Sequence, residues 1–489
     1  MVNDYKTKEE VHNRAKDAVG MTLKELSLNG YVKSTKSSMG DAFENWFGKQ
    51  PDSESKPDME EAGVELKATP FKKIKNNKYS AKERLVLNMI NYNDLIKEEF
   101  ETSHFLFKNN TIEIAFYEHD NEVDKGDWFI REAILYQMKD NPIDFEIIKQ
   151  DWEKIYKFVE EGRAHELSEK HFQYLSPCTK GKNGESVRTQ PNSDVMAKTR
   201  AFSLKTGYMT SLLRDYVLGT QQCKSIIKDR FEVKEKNIEE IVSGKFTPFI
   251  GWALNELCNH FGIKSNAKNI NSIVASAILN INGKHDLTDK LNDIEEFEKA
   301  SIVVKTIKVN TNNVIEESMS FPTFDFKELS EEDWEDEYGS PSAQWHNFLL
   351  ESRFLFVVFK EEDGKIVFKG TKFHSIPEEK INTTIKEVWE DTRNKIREGI
   401  KLKTNYDKNN KIKITNNFIG SGEHKICHVR PHATKSDYSV DGKYANELPT
   451  PAQWQGKPDG YNFSNKWMTK TCFWLNAAYI REQIEDLLD

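Results

Sequence analysis

KSSMGDAFENWFGKQPDSESKPDMEEAGVELK, residues 36–67, places three carboxylates and a lysine in the order Glu44, Asp58, Glu65, Lys67. Val64 to Lys67 alternates apolar and charged residues. A β-strand repeats its side chains every two residues, so Glu65 and Lys67 are predicted on one face. The turn-rich run PDSESKPD, residues 51–58, carries Asp58 back alongside that strand. GDAFENWFG, residues 40–48, is amphipathic, with Phe43, Trp46 and Phe47 on its apolar side and Glu44 turned toward the acidic pair. Two carboxylates sharing a divalent cation, with an ammonium beside the water to be activated, are what phosphodiester hydrolysis requires. In a chain with 30% charged residues, Asp-x6-Glu-x-Lys alone also describes a solvated strand edge, so its context decides.

Three further segments supply that context: FETSHFLFK with Lys108, AFSLKTGYMTSLL with Lys205, and the KSSMGDAFE that begins the first stretch, with Lys36, Gly40 and Glu44. Together with DMEEAGVELKATP they resemble the DNA-cleaving domain shared by MutH-type mismatch-repair endonucleases and GATC-cutting type II restriction endonucleases. The resemblance covers most of residues 10–220. It implies that Asp58 and Glu65 bind a metal, that Glu44 supports the metal or the attacking water, and that Lys67 is the catalytic lysine. Lys36 and Lys108 would contact the scissile phosphate. Mg²⁺ is the implied cofactor, and double-stranded DNA at GATC the implied substrate. Ser203 stands where MutH-type nickases carry a methylation-sensing tyrosine, two residues before the lysine matching Lys205. The base-reading Arg-Pro pair of MutH falls near Cys178-Thr179, in a longer loop, where Lys180 and Lys182 are expected to contact DNA with Ser203 and Lys205. These departures favour a restriction enzyme over a repair nickase; a non-catalytic DNA-binding regulator is the other alternative.

At 489 residues the chain predicts two or three domains, and 37% hydrophobic residues supply their cores. Mean hydropathy is −0.71, and no apolar run approaches membrane-spanning length. The N-terminal MVNDYKTKEEVHNRAK lacks a signal-peptide core. Five dispersed cysteines without a CxxC pair indicate reduced thiols and a cytoplasmic protein. The net charge of −9 hides two basic stretches. Lys72–Arg84 holds six Lys/Arg against one acid, and Lys170–Lys205 holds seven against two. They read as the two walls of a DNA cleft.

RLVLNMINY, SHFLFKN and TIEIAFYEH are expected as strands, and WFIREAILYQM and DFEIIKQDWEKIYKFVEEG as helices. The class is α/β, with a mixed sheet flanked by helices. Residues 221–240 form a helical linker between a catalytic domain, 1–220, and a second, degenerate MutH-like domain, 241–489. The tandem reading rests on ordered echoes: FIGWALNELCNHFG of MGDAFENWFG, ASIVVKTIKV of AGVELKATPF, ESRFLF of ETSHFLF, and WMTKTCFWLNAAYI of FSLKTGYMTSLL. In the second copy Asn255 replaces Glu44, Val303 replaces Glu65, Val357 replaces Lys108, Lys305 keeps the place of Lys67, and Glu296 at most stands for Asp58. A valine offers no oxygen to a hard cation. ICHVRPHATKSD retains an Arg-Pro pair, so Arg430, with Lys470, is the expected DNA contact of a regulatory domain binding a second site. His424, Cys427, His428 and His432 leave a zinc site open, although no second ligand pair accompanies them. The acidic run Glu328–Glu337 reads as a solvated helix or loop. The protein is expected as a monomer or a DNA-induced dimer.

Overall fold

The structure, a computed structural model, describes residues 5–28, 38–49, 55–74, 79–120, 123–180, 186–219, 223–264, 267, 269–280, 291, 294–337, 339–406, 408–409, 411–423, 425–432 and 436–488. Its contacts divide the chain into two compact units. The first holds residues 1–248, 268–303 and 351–353; the second holds 249–267, 304–350 and 354–489.

The first unit opens on helix α1 (Lys8–Lys16), started by a capping box in which Thr7 and Glu10 satisfy each other's amides. Helices α2 (Leu23–Leu28) and α3 (Ser38–Trp46) follow. The Arg14 guanidinium of α1 lies 3.5 Å from the centre of the Trp46 ring and donates to the Trp46 carbonyl at 2.9 Å. Trp46 Nε1 returns a bond to the Arg14 carbonyl at 2.9 Å. This double clasp fixes α3 while Ala42, Phe43 and Phe47 enter a core with Val11, Ala15, Val64 and Leu66.

Strands β1 (Glu65–Lys73), β2 (Tyr79–Ala81) and β3 (Leu85–Met89) come next, then short helices α4 (Tyr92–Leu95) and α5 (His104–Asn109). Strands β4 (Thr111–Glu118) and β5 (Ile130–Gln137) and the long helix α6 (Pro142–Glu160) complete the first half. The main sheet runs β2-β1-β4-β5, with β1 parallel to β4 and the other pairs antiparallel. Strand β4 is central, and its first six residues are buried. Asn141 caps α6 by accepting from the Ile143 and Asp144 amides, with Pro142 in the first turn.

Strands β6 (Leu175–Thr179), β7 (Val187–Gln190), β8 (Ser193–Lys198) and β9 (Arg200–Leu204) lead to helix α7 (Thr206–Leu212). A second sheet runs β3-β9-β6, all antiparallel, and β7 pairs with β8.

Two expected elements change type. SHFLFKN forms α5, because the Ser103 hydroxyl accepts the Leu106 amide and Phe105, Leu106 and Asn109 are buried one turn apart. A short apolar run satisfies the period of helix and strand alike, and its cap decides. WFIREAILYQM forms β5, because in-register pairing with β4 outweighs its good helix formers. Within 221–240 the helices are Arg230–Glu235 and the start of Ile238–Phe246, the latter capped by Asn237, and both belong to the first unit.

The second unit carries helices Leu254–Phe261 and Lys386–Glu398. One of its sheets orders Ile302–Val309, Arg353–Glu362 and Lys365–His374; another orders Met319–Thr323, Thr471–Leu475 and Cys427–Pro431. These orders repeat β1-β4-β5 and β3-β9-β6. Two of the expected echoes do not survive. Val357 lies inside a strand, whereas Lys108 lies on helix α5, so the two positions are not equivalent. Glu296 belongs to the first unit, where its carboxylate accepts the Ile226 and Ile227 amides. Among the described residues, no helix is long and apolar enough to cross a membrane.

Candidate active site

Four elements of the first unit bring charged side chains together. Asp58 precedes a tight reversal in which Met59 and Val64 exchange backbone bonds of 2.8 and 3.2 Å. Gly63 closes that turn at φ +64°, a region that favours glycine. The reversal lays Asp58 beside the first residues of β1. Its amide donates to Glu65 Oε2 at 3.3 Å, and its Oδ2 accepts the Leu66 amide at 2.9 Å. The His104 ring bonds the Ser55 carbonyl, tying α5 to the same turn.

Lys67 follows Glu65 on the same strand face, and its ammonium lies 2.5 Å from Glu65 Oε1. Lys108, from α5, reaches the same oxygen at 3.6 Å. Lys49, just past the end of α3, lies 2.7 Å from Asp58 Oδ1. Lys49 was not singled out from the sequence; its only signal is a lysine directly after Gly48, the glycine that ends a helix. Burial pushes the Glu65 carboxyl up, opposed by the Lys67 charge and reinforced by Asp58. Burial, then the neighbouring Asp58 charge, raises Glu44 to about 7, with Lys67 opposing. Glu44 therefore titrates where a group that handles protons near neutrality is useful.

The pair Asp58 and Glu65 suits Mg²⁺, a hard cation that takes one or two carboxylates and fills its remaining positions with waters and phosphate oxygens. Among the described residues, no three His, Cys, Asp or Glu side chains converge into a ready metal cage. Glu44 lies near enough to Asp58 for their charges to interact.

The other expected contacts divide sharply. Lys36, Lys182 and His424 lie outside the described residues. Lys180 is half-buried at the end of β6, its amide bonded to the Thr199 carbonyl. Ser203 and Lys205, by contrast, are both 0% exposed. Ser203 donates to the Ser176 carbonyl at 3.0 Å. The Lys205 ammonium donates to the carbonyls of Ala300 and Glu351 at 3.4 and 3.2 Å, and burial pulls it down to about 8.

In the second unit Arg430 is exposed, its guanidinium 3.8 Å from the centre of the Trp474 ring. Lys470 is half-buried and donates to the Lys443 carbonyl at 2.7 Å. Cys427 and His428 are buried neighbours on one strand, hence on opposite faces. His428 Nδ1 is 2.5 Å from Asn476 Oδ1, and burial lifts the Cys427 thiol to about 12. The described members of the zinc set do not assemble.

Comparison with known proteins adds a lineage to this geometry. The family model described as DNA mismatch repair enzyme MutH matches residues 47–151, which include Lys49, Asp58, Glu65, Lys67 and Lys108. The chain is 57% identical over 490 residues to the type II restriction enzyme Sau3AI of Staphylococcus aureus, covering 100% of both chains. It is 30% identical over 226 residues to the DNA mismatch repair protein MutH of Shewanella woodyi, covering 44% of this chain and 95% of that one. Against MutH of Vibrio campbellii the identity is 22% over 223 residues, with 43% and 95% covered.

Proposed function

We propose that this chain, which belongs to the MutH-related family of type II restriction enzymes, makes Mg²⁺-dependent double-strand breaks in DNA at GATC through Asp58, Glu65 and Lys67. It is a site-specific deoxyribonuclease with a MutH-like N-terminal domain. The observation that carries the finer reading is the Asp58–Glu65 pair with the Lys67 ammonium 2.5 Å from Glu65. Bound Mg²⁺ would lower the pKa of a ligated water and neutralise charge developing on the phosphate. Asp58 and Glu65 would hold that ion. Lys67 orients the nucleophile, and Lys108 faces the scissile phosphate. Glu44, whose charge interacts with that of Asp58, would support the ion or the attacking water.

Full-length likeness to a restriction enzyme, against likeness over less than half the chain to MutH, favours cutting over nicking. The second unit is read as a degenerate copy that binds a further GATC site and regulates the first. Its support is the repeated strand order, an exposed Asn255 on the first helix, and the exposed Arg430. Lys305 there is turned to structure, donating to the Ser320 carbonyl at 3.1 Å. The protein works in the cytoplasm, where its DNA would be. Plasmid DNA incubated with the protein and Mg²⁺, followed by sequencing of the ends, tests the reading. Ends elsewhere than at GATC overturn the site, and single-strand nicks overturn the restriction role.

A further inference from the structure

We propose that Lys49 competes with a divalent cation for Asp58 and thereby sets the metal concentration at which the site fills. The inference rests on reading Asp58 as a metal ligand. Helix α3 ends with Gly48 at φ +79°, and the Lys49 amide bonds back to the Glu44 carbonyl at 3.1 Å. A left-handed glycine at this place fixes the direction of the residue after it. Lys49 is thereby aimed from the helix that carries Glu44 onto the turn that carries Asp58. Its ammonium lies 2.7 Å from Asp58 Oδ1 and 3.4 Å from the Asp58 carbonyl.

Both partners are well enclosed, with side chains 16% and 10% exposed. Asp58 cannot rotate away, because its Oδ2 is held by the Leu66 amide at 2.9 Å. Oδ1 is therefore the oxygen that faces cations, and Lys49 stands on it. Mg²⁺ bonded to that oxygen would sit about 2.1 Å from it. An ammonium 2.7 Å from the same atom would then feel two like charges at close range in a poorly solvated setting, where repulsion is strong. Lys49 and the metal exclude one another at Asp58. Lys67 and Lys108 address the other carboxylate, at Glu65 Oε1, so Lys49 is the lysine whose removal changes the charge on Asp58.

Mn²⁺ serves as the probe, titrated without DNA into the full-length protein while the free ion is counted by electron paramagnetic resonance. Lys49→Met should bind Mn²⁺ about tenfold tighter than wild type, because the competing charge is gone. Lys49→Arg, which keeps the charge, should track wild type. Lys49→Met should also melt at a lower temperature in EDTA and regain more on adding Mn²⁺ than wild type does, as linkage requires. Equal or weaker Mn²⁺ binding by Lys49→Met overturns the competition. Asp58→Asn binding Mn²⁺ as wild type does would instead remove Asp58 as a ligand, and the inference with it.

Discussion

Asp58 and Glu65 are locked to one another through the main chain: the Asp58 amide donates to Glu65 Oε2 at 3.3 Å, while Asp58 Oδ2 takes the amide that follows Glu65 at 2.9 Å. Each carboxylate keeps one oxygen on backbone and presents the other to cations, Lys49 for Asp58 and Lys67 for Glu65. The turn is also closed by the backbone bonds between Met59 and Val64, so the charges can be removed one at a time while the scaffold stands.

Asp58→Ala and Glu65→Ala should each lower plasmid cleavage roughly 100-fold or more, the scale set by losing a group that stabilises transition-state charge. DNA affinity, read by gel shift in Ca²⁺ or EDTA, should stay within a few-fold. Lys67→Ala should lose cleavage to a similar degree while still binding Mn²⁺. Cleavage by either carboxylate variant at near wild-type rate would move the active site elsewhere.

Lys205 should behave as a structural residue. Its ammonium is wholly enclosed and donates to two carbonyls. Lys205→Met leaves those acceptors unsatisfied and should lower unfolding free energy by about 3 kcal/mol. Urea denaturation measures this, and DNA affinity of the folded fraction should be unchanged. Full stability with lost DNA binding would restore Lys205 to the interface.

Lys205 also marks the limit of what a sequence yields. The alternation of Glu65 and Lys67 is local, and so is the turn before Asp58; both are legible from a few residues. The enclosure of Lys205 depends on Ala300 and Glu351, about 100 and 150 positions away, and no local pattern announces their arrival. Lys49 is similar: that it meets Asp58 follows from how α3 ends, not from spacing. The element carrying Lys108 reads as a strand because three apolar residues within seven fit either period, and only the Ser103 cap settles it.

Glu113 gives a pH-dependent test of the core beneath the site. It is 0% exposed in β4, and both its oxygens lie 3.1 Å from His12 Nδ1. Burial raises Glu113 to about 8, with Lys16 opposing and Glu132 reinforcing. Burial lowers His12, again with Lys16 and Glu132 as its charged neighbours. Both shifts favour a neutral acid donating to a neutral imidazole. A carboxyl raised on folding holds an extra proton in the native state, so its stabilisation is complete below the unfolded value near 4.3 and is lost as pH rises through about 8. The lowered His12 has the opposite sign and acts below its ordinary 6.5. Between about pH 6.5 and 8.5, then, unfolding free energy should fall with pH more steeply for wild type than for Glu113→Gln. Parallel profiles in urea titrations would rule out the neutral pair.

Arg430 tests the second unit. Its guanidinium is stacked 3.8 Å from the centre of the Trp474 ring, and Trp474 Nε1 donates to its carbonyl at 3.2 Å, so an exposed charge is displayed with little freedom. Arginine in that setting is pre-organised for paired contacts to guanine or phosphate. If the unit binds a second GATC site, occupancy there and at the cleaving site must be coupled, typically by about 1–3 kcal/mol, or roughly 5- to 150-fold. A plasmid with several GATC sites should therefore be cut faster per site than one with a single site. Arg430→Ala should abolish that advantage while leaving the single-site rate intact, since Arg430 lies outside the first unit's charge cluster. Lys470→Ala should do less, because its ammonium is already engaged by the Lys443 carbonyl. Equal per-site rates on the two plasmids would leave the second unit without a regulatory role, whatever the fate of the Asp58–Glu65 site.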